Sequence, residues 1–98
     1  MAITEELKLA VWNKWKIIPD NKPNEWRQDE CWAWIWFHFY WNRNNQYGWE
    51  IDHISPQSNW WNDNLSNLRP LQWENNISKS DWRLTCKITS NWIQNIKK

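Results

Sequence analysis

Glycine is almost missing from this chain. Gly48 stands alone among 98 residues, where an average sequence of that size carries roughly seven glycines. Because glycine enters left-handed backbone without steric penalty, either nearly every turn avoids that region or other residues occupy it. Long apolar runs are missing too: a mean hydropathy of -1.01 and no stretch near the ~20 apolar residues a bilayer requires exclude a membrane-spanning helix. The first twenty residues place Glu5 and Glu6 ahead of Leu7 and lack the basic start and apolar centre of a secretion signal, so a cytoplasmic location is expected. Cysteine is scarce. Cys31 and Cys86 make no C-x-x-C pair, so two reduced, partly buried thiols and no structural zinc are expected. No strong charge of either sign is present, since twelve basic against eleven acidic residues leave a net +1. Beyond Asp81, Arg83, Lys87, Lys97 and Lys98 follow with no acid; a solvated face and a phosphate-facing patch explain that tail equally well.

What is abundant is tryptophan, thirteen in all. With no internal repeat and no Gly/Ser-rich or Pro-rich linker, residues 1–98 read as one small domain, the size a single core serves. Thr4 is placed to cap a helix whose first turn carries Glu5 and Glu6, with Leu7 and Val11 spaced to face a core. Pro19 and Pro23, among Asp20, Asn21 and Asn24, end it in a loop. Cys31 to Tyr40 reads as strand or irregular buried structure, and Asn42 to Gln46 as a polar turn. Tyr47 to Ile54 alternates as a strand, Trp49, Ile51 and His53 against Glu50, Asp52 and Ile54. After the polar stretch Ser55 to Ser66, Leu68 to Leu71 is a second short strand, where Pro70 implies an edge or the end of pairing. Gln72 to Asp81 has helical spacing through Trp73 and Ile77; Leu84, Ile88, Trp92 and Ile96 fall on one stripe of a C-terminal helix. The sum is a small α+β domain.

The chemistry concentrates in the middle third. Asp52 and His53 adjoin near the end of a strand; fourteen positions separate His53 from Asn67, nine more lead to Asn76, and Lys79 and Ser80 lie a turn further. A regular strand sends Asp52 and His53 to opposite faces, and a bulge would let one bind a metal while the other addresses a substrate. An Asp-His pair alone reads as readily as a surface carboxylate beside a hydrogen-bonded imidazole; the downstream asparagines shift the balance.

The stretch Asp52-His53-Ile54-Ser55-Pro56-Gln57-Ser58, continued by Asn67-Leu68-Arg69-Pro70-Leu71 and Asn75-Asn76-Ile77-Ser78-Lys79-Ser80-Asp81, resembles the HNH endonuclease signature, with intervals similar to those in the HNH domain of RNA-guided CRISPR nucleases. Residues 12–46 resemble, more loosely, the upstream region of small stand-alone bacterial HNH proteins. The resemblance implies a single HNH nuclease domain. Residues 1–46 would be an N-terminal helix and support region, 47–82 a ββα-metal (His-Me finger) hairpin-plus-helix core, and 83–98 a flanking C-terminal helix. It implies His53 as general base, Asn67 as the residue that orients the base and pins the loop, and Asp52 and Asn76 as ligands of one divalent cation.

Those roles suit the side chains. An imidazole can take a proton from water near neutral pH. A cation held by Asp52 and Asn76 would stabilise charge developing on phosphoryl and leaving oxygens, with Asn76 near a helix start adding a positive dipole end. A carboxylate and a carboxamide offer hard oxygens that suit Mg²⁺, or Mn²⁺, better than zinc. His38 is expected to face solvent from a strand rather than bind metal. Arg69 and Lys79 are candidates for DNA phosphate contacts, simple solvation being the equal alternative. The expected activity is metal-dependent hydrolysis of double-stranded DNA; a binding module that has lost cleavage and an HNH nuclease directed at RNA are the alternatives. So small a domain has little surface for reading bases, so specificity is expected from a homodimer or a partner protein.

Where such proteins commonly carry glycine, this chain carries tryptophan: Trp60-Trp61 between His53 and Asn67, Trp32 after the cysteine, Trp41 after the tyrosine, and, with less support, Trp15, Trp36, Trp82 and Trp92. Three readings stay open. The rings form a core, or a surface on which unpaired bases stack, or they mark UGA codons that the organism reads as glycine.

Overall fold

The computed structural model describes residues 3–15, 17–18, 22–55, 64–80, 82–91 and 94–98. Helix α1 spans Glu5–Asn13, and Thr4 caps it as expected, its Oγ1 accepting from the Leu7 amide at 3.0 Å. Its far end is closed by a residue distant in sequence. The Arg27 guanidinium donates to the carbonyls of Trp12 and Trp15 at 2.9 and 2.8 Å, filling the orphan acceptors of the last turn with a cation at the negative dipole end. Lys14 extends this link, donating from Nζ to the carbonyls of Leu65 and Leu68 at 2.5 and 2.7 Å, and burial pulls its pKa down.

Three antiparallel hairpins follow. Strands β1 (Trp26–Gln28) and β2 (Trp34–Trp36) form the first, and a 3₁₀ turn over Phe37–Phe39 leads out of it. His38 is exposed, as expected, but on that turn rather than on a strand. Strands β3 (Trp49–His53) and β4 (Leu68–Gln72) form the second, in unbroken register from Trp49 opposite Gln72 to His53 opposite Leu68. Pro70 sits opposite Ile51 in a sheet of two strands, where both strands are edges and a missing N–H is tolerated. Helix α2 follows at once, over Trp73–Ile77. It stops four residues short of the predicted Asp81, and Ile77 is exposed rather than part of a core.

The third hairpin overturns the predicted C-terminal helix. Residues 88–90 and 95–97 are strands β5 (Ile88–Ser90) and β6 (Asn95–Lys97), with Ile88 opposite Lys97. The fourfold spacing of Leu84, Ile88, Trp92 and Ile96 lost to tertiary hydrogen bonds. The Asn75 side chain takes both the N–H and the C=O of Ile88, at 2.7 and 2.9 Å, while Asn95 does the same for Trp34 at 2.6 and 2.9 Å. Extended backbone offers its polar groups sideways to such partners; a helix interior would have used them itself. Pro19, Asp20, Asn21, Trp60, Trp61, Asp81 and Trp92, on which several expectations rested, lie outside the described residues, as does most of the polar stretch after Ser55.

The core holds Trp12, Ile35 and Trp49, fully buried, with Phe37, Tyr40 and Ile51 packed against them. Trp12 lies 5.1 Å from Trp49 and 5.3 Å from Phe37, centroid to centroid. Their indole N–H groups are satisfied by the carbonyls of Pro23 and Phe37, as buried tryptophan requires. Cys31 and Cys86 are bonded to each other as a disulfide. That corrects the expectation of two free thiols, since their separation in sequence carries no pairing signal and only the fold brings the two segments together.

Beside that disulfide lies Asp29, wholly buried. Its Oδ1 accepts from the amides of Cys31 and Ala33 at 2.8 and 2.9 Å, and its Oδ2 from the Gln72 amide and the Asn75 side chain at 2.9 and 3.1 Å. Burial pushes the carboxyl pKa up, against the pull of those four donors. Replacing Asp29 with Ala leaves four buried N–H groups without an acceptor. We expect a loss of about 3 kcal/mol or more, read as a lower urea midpoint at unchanged slope. Asp29→Asn keeps the shape but turns an amide NH2, a donor, toward N–H donors, and should recover only part of the loss.

Candidate functional site

Hairpin β3–β4 and helix α2 carry all four residues singled out by the resemblance. Asp52 and His53 end β3, Asn67 closes the 3₁₀ turn Leu65–Asn67 just before β4, and Asn76 lies in α2. No bulge interrupts the ladder through His53, so strand alternation sends Asp52 and His53 to opposite faces. Asp52 is 5% exposed, while His53 is half-buried.

Asp52 is the centre of a cationic cluster. Arg69, its cross-strand neighbour, donates from Nε to Oδ2 at 2.8 Å, and Lys79 donates from Nζ to Oδ1 at 2.6 Å and to the His53 carbonyl at 3.2 Å. Arg69 also pairs with Glu30 on the β1–β2 loop. Arg69 is therefore not the exposed basic residue that the sequence led us to expect: it is 6% exposed and holds two carboxylates. Lys79 is half-buried and likewise engaged.

Two residues earlier on the same strand, Glu50 is completely buried. Arg43 grips it with two bonds, Nε to Oε2 at 2.5 Å and Nη2 to Oε1 at 2.9 Å, and Asn76 donates from Nδ2 to the same Oε1 at 2.8 Å. The Glu50 carboxylate, through that bond and its charge, raises the Arg43 pKa. An ionised carboxylate only accepts, so it fixes which end of the Asn76 amide faces it. The carbonyl oxygen, the atom that binds hard cations, is left turned away. Asn76 is the fourth of five helical residues, so the expected positive dipole end is not beside it.

Asn67 works on the other side of the hairpin. Its side-chain oxygen accepts from the Ser55 amide at 2.9 Å, and its backbone carbonyl accepts from the Ile54 amide at 2.8 Å. The two residues after His53 are thus tied to the residue before β4. Glu30, Arg43 and Glu50 escaped the sequence reading. Glu50 was placed on one strand face with Asp52 and Ile54 and given no role; a buried charge is prohibitive only when unpaired, and Arg43 pairs this one.

A family model described as HNH endonuclease matches residues 42–82. Residues 42–82 are thus similar to HNH endonucleases. No curated protein and no solved structure gives a significant match. That similarity points to nuclease activity on nucleic acid and, in general, to use of a divalent metal. Among the described residues no group of three or more His, Cys, Asp and Glu side chains forms a metal cage. Asp52 and Asn76 carry the oxygen donors a hard cation takes, and both Asp52 oxygens already accept from cationic groups, Arg69 and Lys79, whose place a metal would take.

Glu50 should matter to the shape of this site as much as to its charge. Glu50→Ala removes the acceptor of Asn76 and Arg43 and opens a cavity. We expect about 2 to 3 kcal/mol of lost stability, measured by urea unfolding, with Glu50→Gln intermediate because it retains one acceptor.

Proposed function

We propose that the chain is a metal-dependent endonuclease that hydrolyses DNA phosphodiester bonds with His53 as general base. The observation that carries the reading is the clamp around His53. The β3–β4 ladder holds the residue from one side, and Asn67 holds Ile54 and Ser55 from the other, while the imidazole stays half-buried at the end of the strand. A general base has to be fixed in direction and still reach water, and backbone held on both sides of a half-buried His53 supports that reading.

His53 takes the proton of a water molecule, and the oxygen so activated attacks phosphorus in line with the departing sugar oxygen. Arg69 orients the Asp52 carboxylate from the opposite strand, and Glu50 sets the Asn76 amide. Asp52 and Asn76 would hold one divalent cation, Mg²⁺ first and Mn²⁺ as its alternative, which supplies charge stabilisation to the phosphoryl and leaving oxygens. Double-stranded DNA is the proposed substrate, with a second copy or a partner protein supplying specificity.

The test is nicking of supercoiled plasmid with Mg²⁺ or Mn²⁺. His53→Ala should lower the rate by roughly 10²- to 10⁴-fold, the usual contribution of a general base, at unchanged folding by circular dichroism. Absence of nicking by the unaltered chain, or nicking indifferent to His53→Ala, defeats the proposal. In that case the ion pairs of Asp52 are structural and the domain binds nucleic acid without cutting it. Faster cleavage of RNA than of DNA would overturn the substrate.

A further inference from the structure

Among the described residues three non-glycine positions have positive φ: Trp32 at 66°, Trp41 at 64° and Cys86 at 55°. Cys86 is held by its disulfide. Each of the two tryptophans sits at the one position of its turn that calls for glycine. Between β1 and β2, the Trp32 amide donates to the Asp29 carbonyl at 3.0 Å and the Asp29 amide to the Ala33 carbonyl at 2.9 Å. This is the three-residue hairpin loop whose third residue is left-handed. Residues 39–42 form a different turn. The Asn42 amide donates to the Phe39 carbonyl at 3.1 Å, Tyr40 has φ -58° and ψ 128°, and Trp41 follows with positive φ. That is the type II pattern, in which the third residue is glycine or asparagine.

A bulky Cβ in that region crowds the following carbonyl, and neither side chain recovers the loss by burial. Trp32 is 54% exposed and Trp41 61% exposed. Trp41 touches Arg43 at 5.2 Å, a surface contact. Trp12 and Trp49 show what tryptophan looks like where it belongs in this fold: fully buried, with the indole N–H bonded. A base-stacking surface accounts for exposure, but not for two exposed rings both falling on left-handed backbone in unrelated turns.

We infer that positions 32 and 41 are glycine in the protein the cell makes, encoded by UGA in a lineage that reads this codon as glycine. UGA is one base from the tryptophan codon UGG and one base from the glycine codon GGA, and it is taken as tryptophan under other codes. The substitution shifts the count from one glycine and thirteen tryptophans toward the ordinary balance. Trp15, Trp36 and Trp82 are not at positive φ, so the inference does not extend to them. It is independent of the nuclease reading.

The gene and the natural protein test it together. UGA at codons 32 and 41, with glycine in the corresponding peptides by mass spectrometry of protein from the source cell, is the expected result. UGG at either codon, or tryptophan in either peptide, overturns it. Trp32→Gly and Trp41→Gly in the chain described here should together raise Tm by about 5 °C or more. Trp82→Gly, at a position equally exposed but of ordinary φ, should not raise it. An unchanged or lowered Tm for the double variant removes the structural ground and overturns the inference.

Discussion

One buried carboxylate holds three separate parts of this small fold in place. Asp29 accepts from the loop that closes the first hairpin, from the last residue of β4 and from the side chain of Asn75 in α2. Asn75 passes the connection on to Ile88 at the start of β5. Each hairpin here has two short strands, and an isolated two-stranded hairpin is marginal in water. Stability has to come from what joins them, and a domain of this size has a limited apolar core to do it with. Charge-assisted hydrogen bonds in a dry setting fill that need.

The candidate site depends on the same joinery. Gln72 accepts with its side chain from the amides of Glu74 and Asn75 and so starts α2, while its own amide is bound by Asp29. The angle at which α2 leaves β4, and hence where Asn76 and Lys79 arrive, follows from that junction. Around it two buried carboxylates are matched by cations from different elements: Glu50 by Arg43, and Asp52 by Arg69 and Lys79. His53 shares the Lys79 contact through its backbone carbonyl, while strand alternation turns its side chain to the face opposite Asp52.

Much of the middle third was legible beforehand. The alternation of Tyr47 to Ile54, the proline-bearing strand at Leu68 and the turn to helix at Gln72 are local patterns, and the two strands and the helix form there, the helix shorter than expected. Thr4 was legible for the same reason, since a cap acts within four residues. What was not legible acts at long range. The disulfide joins residues 55 apart, and the β5–β6 hairpin is imposed by Asn75 reaching from α2 to Ile88 and by Asn95 of β6 reaching out to Trp34 in β2. Asn75 was quoted only as the neighbour of Asn76; its carboxamide holds the backbone of Ile88, and no spacing rule reveals that.

The sequence by itself determined the local elements of the central hairpin and the identity and order of Asp52, His53, Asn67 and Asn76, because strand period, turn chemistry and motif spacing are all written in neighbouring residues. Only the tertiary structure decided that Arg69 and Lys79 face Asp52, that Glu50 is buried, that the C-terminal segment is extended and that Trp32 and Trp41 sit on left-handed backbone. Burial, charge pairing and φ are properties of the folded neighbourhood: a lysine reads the same in sequence whether it meets water or a carboxylate, and a tryptophan reads the same whether its backbone is relaxed or crowded.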